Sequence, residues 1–124
     1  MNTNDNKCID DIDLKDVKDV IWISGEWRNR IWKDGIWIDG IWVDGTWIDG
    51  EWRDGIWKGG VWKNGVWRNG IWRNGTWKSG YWIKGFIVST KFNKLVYSVV
   101  SPAEFYAIEE KVSSLKELIE KVSK

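Results

Sequence analysis

Ile31-Trp32-Lys33-Asp34-Gly35 is followed at once by Ile36-Trp37-Ile38-Asp39-Gly40, and the same five-residue unit returns as far along as Val66-Trp67-Arg68-Asn69-Gly70. All thirteen tryptophans of the 124-residue chain sit on this spacing, from Trp22 to Trp82, and none lies elsewhere. The unit is a β-branched residue, Trp, a variable position, then Asp or Asn, then Gly. Self-similarity of this kind sets the architecture before any other signal. Glycine at nearly every fifth position rules out a helix.

Five residues divide into three and two. A strand such as Ile36-Trp37-Ile38 followed by Asp39-Gly40 matches a minimal β-hairpin, because a type I′ turn needs positive φ at both central residues and Asp-Gly or Asn-Gly supplies it. Of the twelve links between Trp22 and Trp82, eight are Asp-Gly or Asn-Gly; Asn29-Arg30 alone has no glycine. The expected fold is mainly β: an antiparallel meander of minimal hairpins with every indole on one side. In that register Glu51 faces Lys58. The alternative is a parallel β-solenoid turning every five residues, like the quadrilateral pentapeptide-repeat helices. Four indoles per coil would crowd its interior, and Ile21, Ile31, Ile36, Ile41 and Val61 would face solvent.

Beyond the ladder, Phe86-Ile87-Val88 and Leu95 to Val100 have strand composition on either side of Asn93-Lys94. Ser101-Pro102-Ala103-Glu104 is a capping box with proline at the first helical position. Phe105, Ile108, Val112, Leu115, Ile119 and Val122 then follow at helical spacing. The chain thus divides into an acidic segment 1–20, the ladder 21–85, closing strands 86–100 and an amphipathic helix 101–124. That helix is expected to lie on the aromatic face, which cannot stay wet; its stripe is equally a short heptad seam for oligomerisation.

The formal net charge of +1 conceals a polarity. Residues 1–20 carry three Lys and six Asp, residues 21–55 four basic and seven acidic groups, and residues 56–85 six basic groups and no acid. The basic series Lys58, Lys63, Arg68, Arg73 and Lys78 is a candidate surface for anionic membrane or nucleic acid, although strand alternation separates these charges from the rings. An opposite patch, Ile36, Ile38, Ile41, Val43 and Ile48, is a candidate protein contact, unless residues 9–20 fold over it. Asp34, Asp39, Asp44, Asp49 and Asp54 read as turn residues, not as a calcium repeat.

Gly50-Glu51-Trp52-Arg53-Asp54-Gly55, with a near copy from Gly25 to Arg30, resembles the first hairpin strand of MORN repeats, whose unit runs roughly Y-x-G-x-W-x-[ND]-G-x-x-x-G-x-G. The second strand of that unit and its Gly-x-Gly are missing here. The resemblance implies a curved antiparallel sheet with an aromatic groove able to hold a helix, and a role as scaffold or tether.

The chain has no histidine, one cysteine (Cys8) and no Gly-rich phosphate loop, so a Ser-His-acid set is excluded and the expectation is a non-enzyme with no catalytic residue, metal or cofactor. The lone cysteine and the absence of a signal-peptide pattern point to a cytoplasmic or otherwise intracellular location. No apolar run reaches the length of a membrane span. The leading functional expectation is a structural or protein-interaction repeat module that binds a protein partner or itself. Carbohydrate binding through Trp stacking and anionic contact through the basic half are the alternatives.

Overall fold

The computed structural model describes Asn2–Thr3 and residues 20–124. Cys8 and the expected packing of residues 9–19 over the isoleucines lie outside the described residues. The ladder does not reverse direction at each Asp-Gly. It winds one way as a three-sided parallel β-solenoid, so the antiparallel meander is wrong. The strand Gly35–Trp37 pairs in parallel with Glu51–Trp52, setting Ile36 beside Glu51 and Trp37 beside Trp52. One coil is therefore fifteen residues, three units long.

Three sheets form the three sides. The first contains Asn2–Thr3, Val20–Trp22, Gly35–Trp37, Glu51–Trp52, Val66–Trp67 and Tyr81–Trp82. The second contains Glu26–Trp27, Ile41–Trp42, Ile56–Trp57, Ile71–Trp72, Gly85–Ser89 and Lys94–Ser98; the third contains Arg30–Trp32, Gly45–Trp47, Val61–Trp62 and Thr76–Trp77. All ladder pairings are parallel; among the described residues only Gly85–Ser89 with Lys94–Ser98 is antiparallel, across the turn at Asn93. Each coil is clipped to the one before by bonds such as Ile41 N–H to Gly25 O at 2.8 Å and Val43 N–H to Trp27 O at 2.8 Å.

The corner explains the difference between expectation and structure. A type I′ turn needs two successive positive φ values, whereas here only the glycine has one: Gly40 has φ +129°, and Asn29 and Asn93 are the only non-glycine residues with positive φ among those described. With one such residue the chain bends onto the next side of a triangle. Asp39 Oδ1 accepts the Gly40 N–H at 2.8 Å, fixing the bend. Glycine is required twice over, because a Cβ at Gly40 would lie 2.6 Å from Gly25 O and 3.1 Å from Trp22 Nε1. At Asn29-Arg30 the bend survives without glycine because Asn29 takes the positive φ, at +50°, a conformation asparagine tolerates better than most residues.

Three indoles, not four, fill each coil. They form three columns in which successive rings lie nearly parallel, Trp37 over Trp52 at 4.7 Å and 5°, and Trp47 over Trp62 at 4.8 Å and 6°. Rings within a coil meet edge to face, Trp37 against Trp42 at 5.9 Å and 68°. Both are favoured arrangements of the aromatic quadrupole, so the crowding expected of a four-sided coil does not arise. Of the residues outside, Ile21, Ile36, Ile41 and Val61 are half-buried, which answers most of the objection that they make a poor solvent surface, while Ile31 stays 43% exposed.

The C-terminal residues close the last coil; they do not lie along an aromatic face. Two helices replace the single one: α1, Pro102–Lys111, and α2, Leu115–Val122. Ser101 caps α1 by accepting the Glu104 N–H at 3.3 Å. The stripe breaks at Val112, where Ser114 accepts the Glu117 N–H and Glu117 Oε1 accepts the Ser113 N–H, both at 3.2 Å. This second capping box restarts the helix in a new phase. Phe105, Val112, Leu118 and Val122 are buried with Ile87 and Val96 over the column ends, and Ile108 and Leu115 pack at their margin. Ile119, expected in the stripe, is 43% exposed.

Candidate interaction surface

Every Trp points inward, so the residues before and after it point outward, and the fifteen-residue coil stacks them into columns. On the second side the residue before Trp gives Glu26, Ile41, Ile56 and Ile71, and the column runs on through Phe86 and its cross-strand neighbour Tyr97. The residue after Trp gives Arg28, Val43, Lys58 and Arg73, continued by Val88 and Leu95. Six strands at about 4.8 Å make a flat surface about 24 Å long. The isoleucines are half-buried, whereas Phe86 and Tyr97 are 39% and 41% exposed, with ring centroids 5.7 Å apart. No other side carries so long an apolar column: on the first, Glu51 interrupts it, and on the third, Thr46 and Thr76 do.

The electrostatics of the three sides differ. On the first, Glu51 pairs with Arg53 at 3.5 Å and with Arg68 of the next coil, in place of the Lys58 that a meander would offer. On the second, Lys58 and Arg73 stack one coil apart with no ion pair among the described residues; on the third, Lys63 and Lys78 do the same. Like charges side by side in a sheet are destabilising. An acidic partner would relieve them.

The residues singled out by sequence are distributed as follows. Ile36 and Ile38 lie on the first side, Ile41 and Val43 on the second, and Ile48 on the third, so they form a belt around the coil and not one patch. Lys58, Lys63, Arg68, Arg73 and Lys78 are likewise divided among all three sides. Of the helical set, Phe105, Val112 and Val122 are buried inside the chain's own cap. Sequence reasoning missed Ile56, Ile71, Phe86 and Tyr97, which align only when the chain is read at fifteen. With the thirteen indoles 0–9% exposed, no indole offers its face to a sugar ring.

Where α1 meets the corner at Asn74-Gly75 there is an open groove of about 570 Å³ lined also by Thr90, Lys91, Tyr106, Glu109 and Glu110. The Glu109 carboxylate in it is buried and occupied: it accepts from Ser89 Oγ at 2.5 Å, Thr90 Oγ1 at 2.9 Å and the Lys91 N–H at 3.3 Å. Lys91 Nζ in turn donates to Val112 O at the end of α1, at 2.5 Å, where a cation also complements the helix dipole. Burial pushes the Tyr106 hydroxyl up to about 12, and the Glu109 charge adds to this. The Trp72 indole N–H beside it pulls the other way without reaching hydrogen-bond geometry. These groups tie the cap to the last coil.

Among the described residues no helix is long and apolar enough to cross a membrane, and no cluster of three or more acidic, Cys or His side chains is placed to hold a metal. The regular Trp spacing is carried by an array of repeated strands, but parallel ones, without the curved antiparallel sheet that the MORN resemblance implied. Comparison with protein-family models, with curated proteins and with solved structures finds no match for this chain.

Proposed function

We propose that the protein is a non-enzymatic interaction module, a short rigid solenoid that presents its second side to a protein partner. One observation carries this reading: the indoles are consumed by the core, and what remains outside is one unbroken apolar column, from Ile41 to Tyr97, beside two cations with no ion pair among the described residues. An apolar strip rimmed by charge is the anatomy of a protein contact. Stacking also makes the surface stiff, since every rung between the two ends is bonded to two others and the columns beneath are close-packed.

The test is site-specific photo-crosslinking in the native cells, with the reactive residue placed at Ile56 or Phe86, and at Ile31 or Thr76 on the third side as controls. The reading expects a discrete protein adduct from the second-side positions alone. Equal labelling of all four positions, or none above background at any, would sink it.

A further inference from the structure

We infer that the second side pairs with the same side of a second copy, with the two solenoids antiparallel about a two-fold axis that lies between the Ile56 and Ile71 rungs. The inference rests on the proposed reading of this side as a protein contact and names its occupant. Such an axis runs along the strands, so it keeps each column opposite itself and reverses the order of the rungs. Ile56 then meets the partner's Ile71, and Ile41 meets the partner's Phe86. In the other column Val43 meets the partner's Val88. The apolar pattern is nearly symmetric about this axis, as an isologous contact requires.

The charge pattern is the reverse of symmetric, which is what the same operation needs. The corner bordering this side on its N-terminal edge carries Asp39, Asp54, Asn69 and Lys84 on successive coils. Under the two-fold, Asp39 comes opposite the partner's Lys84, and Lys84 opposite the partner's Asp39, giving two pairs per dimer. Asp54 meets the neutral Asn69 of the partner. The other corner carries Asp44 one rung from where Arg73 of the other copy arrives. That places a carboxylate near the one kind of like-charge meeting, Lys58 with the partner's Arg73, which the two-fold repeats as Arg73 with the partner's Lys58. Apolar symmetry combined with charge antisymmetry along one axis is self-complementarity in the antiparallel sense. A parallel arrangement, with the two-fold along the solenoid, would set Asp39 against the partner's Asp44 and leave Lys84 with no acid opposite it.

The ends are poor alternatives for assembly. The first-coil indoles Trp22, Trp27 and Trp32 are fully buried, and α1 and α2 close the other end. The available side is about 24 Å by about 17 Å, roughly 400 Å² per copy, about half of what a standard stable interface buries on each partner. A weak dimer that dissociates on dilution and on adding salt is therefore expected.

Sedimentation equilibrium of the purified full chain over a hundredfold range of concentration, at 50 mM and 500 mM NaCl, tests this. The expected result is a monomer–dimer equilibrium whose dissociation constant rises at least tenfold at high salt. Lys84→Glu should abolish dimerisation at the low salt concentration. Mixing it with Asp39→Lys should restore a dimer, now of the two different chains, because one corner pair keeps its native signs and the other re-forms with the signs exchanged. If Asp39→Lys fails to fold by circular dichroism, Phe86→Asp replaces it and should leave a monomer. A monomer at every concentration, or a dimer indifferent to Lys84→Glu and Phe86→Asp, overturns the inference. A monomer in pure solution that still gives a second-side adduct of another protein in cells leaves the interaction reading standing and removes only the second copy.

Discussion

Gly59 and Gly60 are adjacent, and the structure predicts opposite consequences for the same substitution. Gly60 has φ +100°, and a Cβ there would stand 2.2 Å from Gly45 O, where real contacts essentially never fall below 3.0 Å. Holding an alanine in that backbone region costs about 1–2 kcal/mol. Relieving the clash must also separate neighbouring coils that are tied by bonds such as Thr76 N–H to Gly60 O at 2.9 Å, each contributing about 1 kcal/mol. Gly60→Ala should therefore destabilise by about 3–5 kcal/mol. Gly59 has no positive φ, and its nearest neighbour is Val43 O at 3.5 Å. Gly59→Ala should be neutral to stabilising by about 0.4–1 kcal/mol, because alanine restricts the unfolded chain. Gly59→Asn should do at least as well by accepting the Gly60 N–H, as Asn74 Oδ1 accepts the Gly75 N–H at 2.8 Å. The assay is equilibrium urea unfolding followed by tryptophan emission. In a type I′ hairpin both glycines would need positive φ and both substitutions would be costly. Equal destabilisation by the two, or a Gly60→Ala penalty below about 1 kcal/mol, would refute the corner geometry.

Three further outcomes follow from the core and the cap. Trp52→Ala removes a ring stacked between Trp37 and Trp67 at 4.7 Å and 4.8 Å and should cost about 3–5 kcal/mol, whereas Tyr81→Ala, 75% exposed, should change thermal stability by less than about 0.5 kcal/mol. Glu109→Ala strips the buried Ser89 hydroxyl of its acceptor and should cost about 2–4 kcal/mol, with faster hydrogen exchange and easier acrylamide quenching confined to the cap. Tyr106 is an acid whose folded value, about 12, exceeds its ordinary value of 10.0. Its contribution to stability is therefore complete below pH 10 and is lost as the pH rises from there towards 12. Unfolding midpoints across that window should fall more for the wild type than for Tyr106→Phe.

The sequence marks the ladder, its five-residue unit and the shared side of every Trp, because a strict spacing with a β-branched neighbour admits few readings. It marks the start of α1 as clearly, through Ser101-Pro102-Ala103-Glu104. Strand direction is less legible. Asp-Gly serves both a hairpin and a solenoid corner, and the two differ only in the φ of the aspartate, which the residue names do not reveal. The single exception is informative: at Asn29-Arg30 a type I′ turn would ask a long-chain arginine to adopt positive φ, whereas a corner asks it only of Asn29. Ser114-Leu115-Lys116-Glu117 is equally available as a capping box, but an unbroken apolar stripe from Phe105 to Val122 hides it. The helix restarts there because Leu118, and not Ile119, can then reach the core.

The candidate surface is illegible for a related reason: which residues are neighbours depends on the length of a coil. At a period of five, Ile36, Ile38, Ile41, Val43 and Ile48 look like one patch because they are close in sequence. At fifteen they encircle the solenoid, and the neighbours of Ile41 become Ile56 and Ile71. The same change of period alters what the charges mean. A chain whose first half is acidic and second half basic suggests end-to-end contacts when read as a line. Wound into a stubby solenoid with α1 and α2 over its last coil, it puts the acid and the base on one flat side at opposite ends of an apolar strip. In the proposed dimer, contacts between copies then follow the side and run antiparallel, and the polarity acts to set their register.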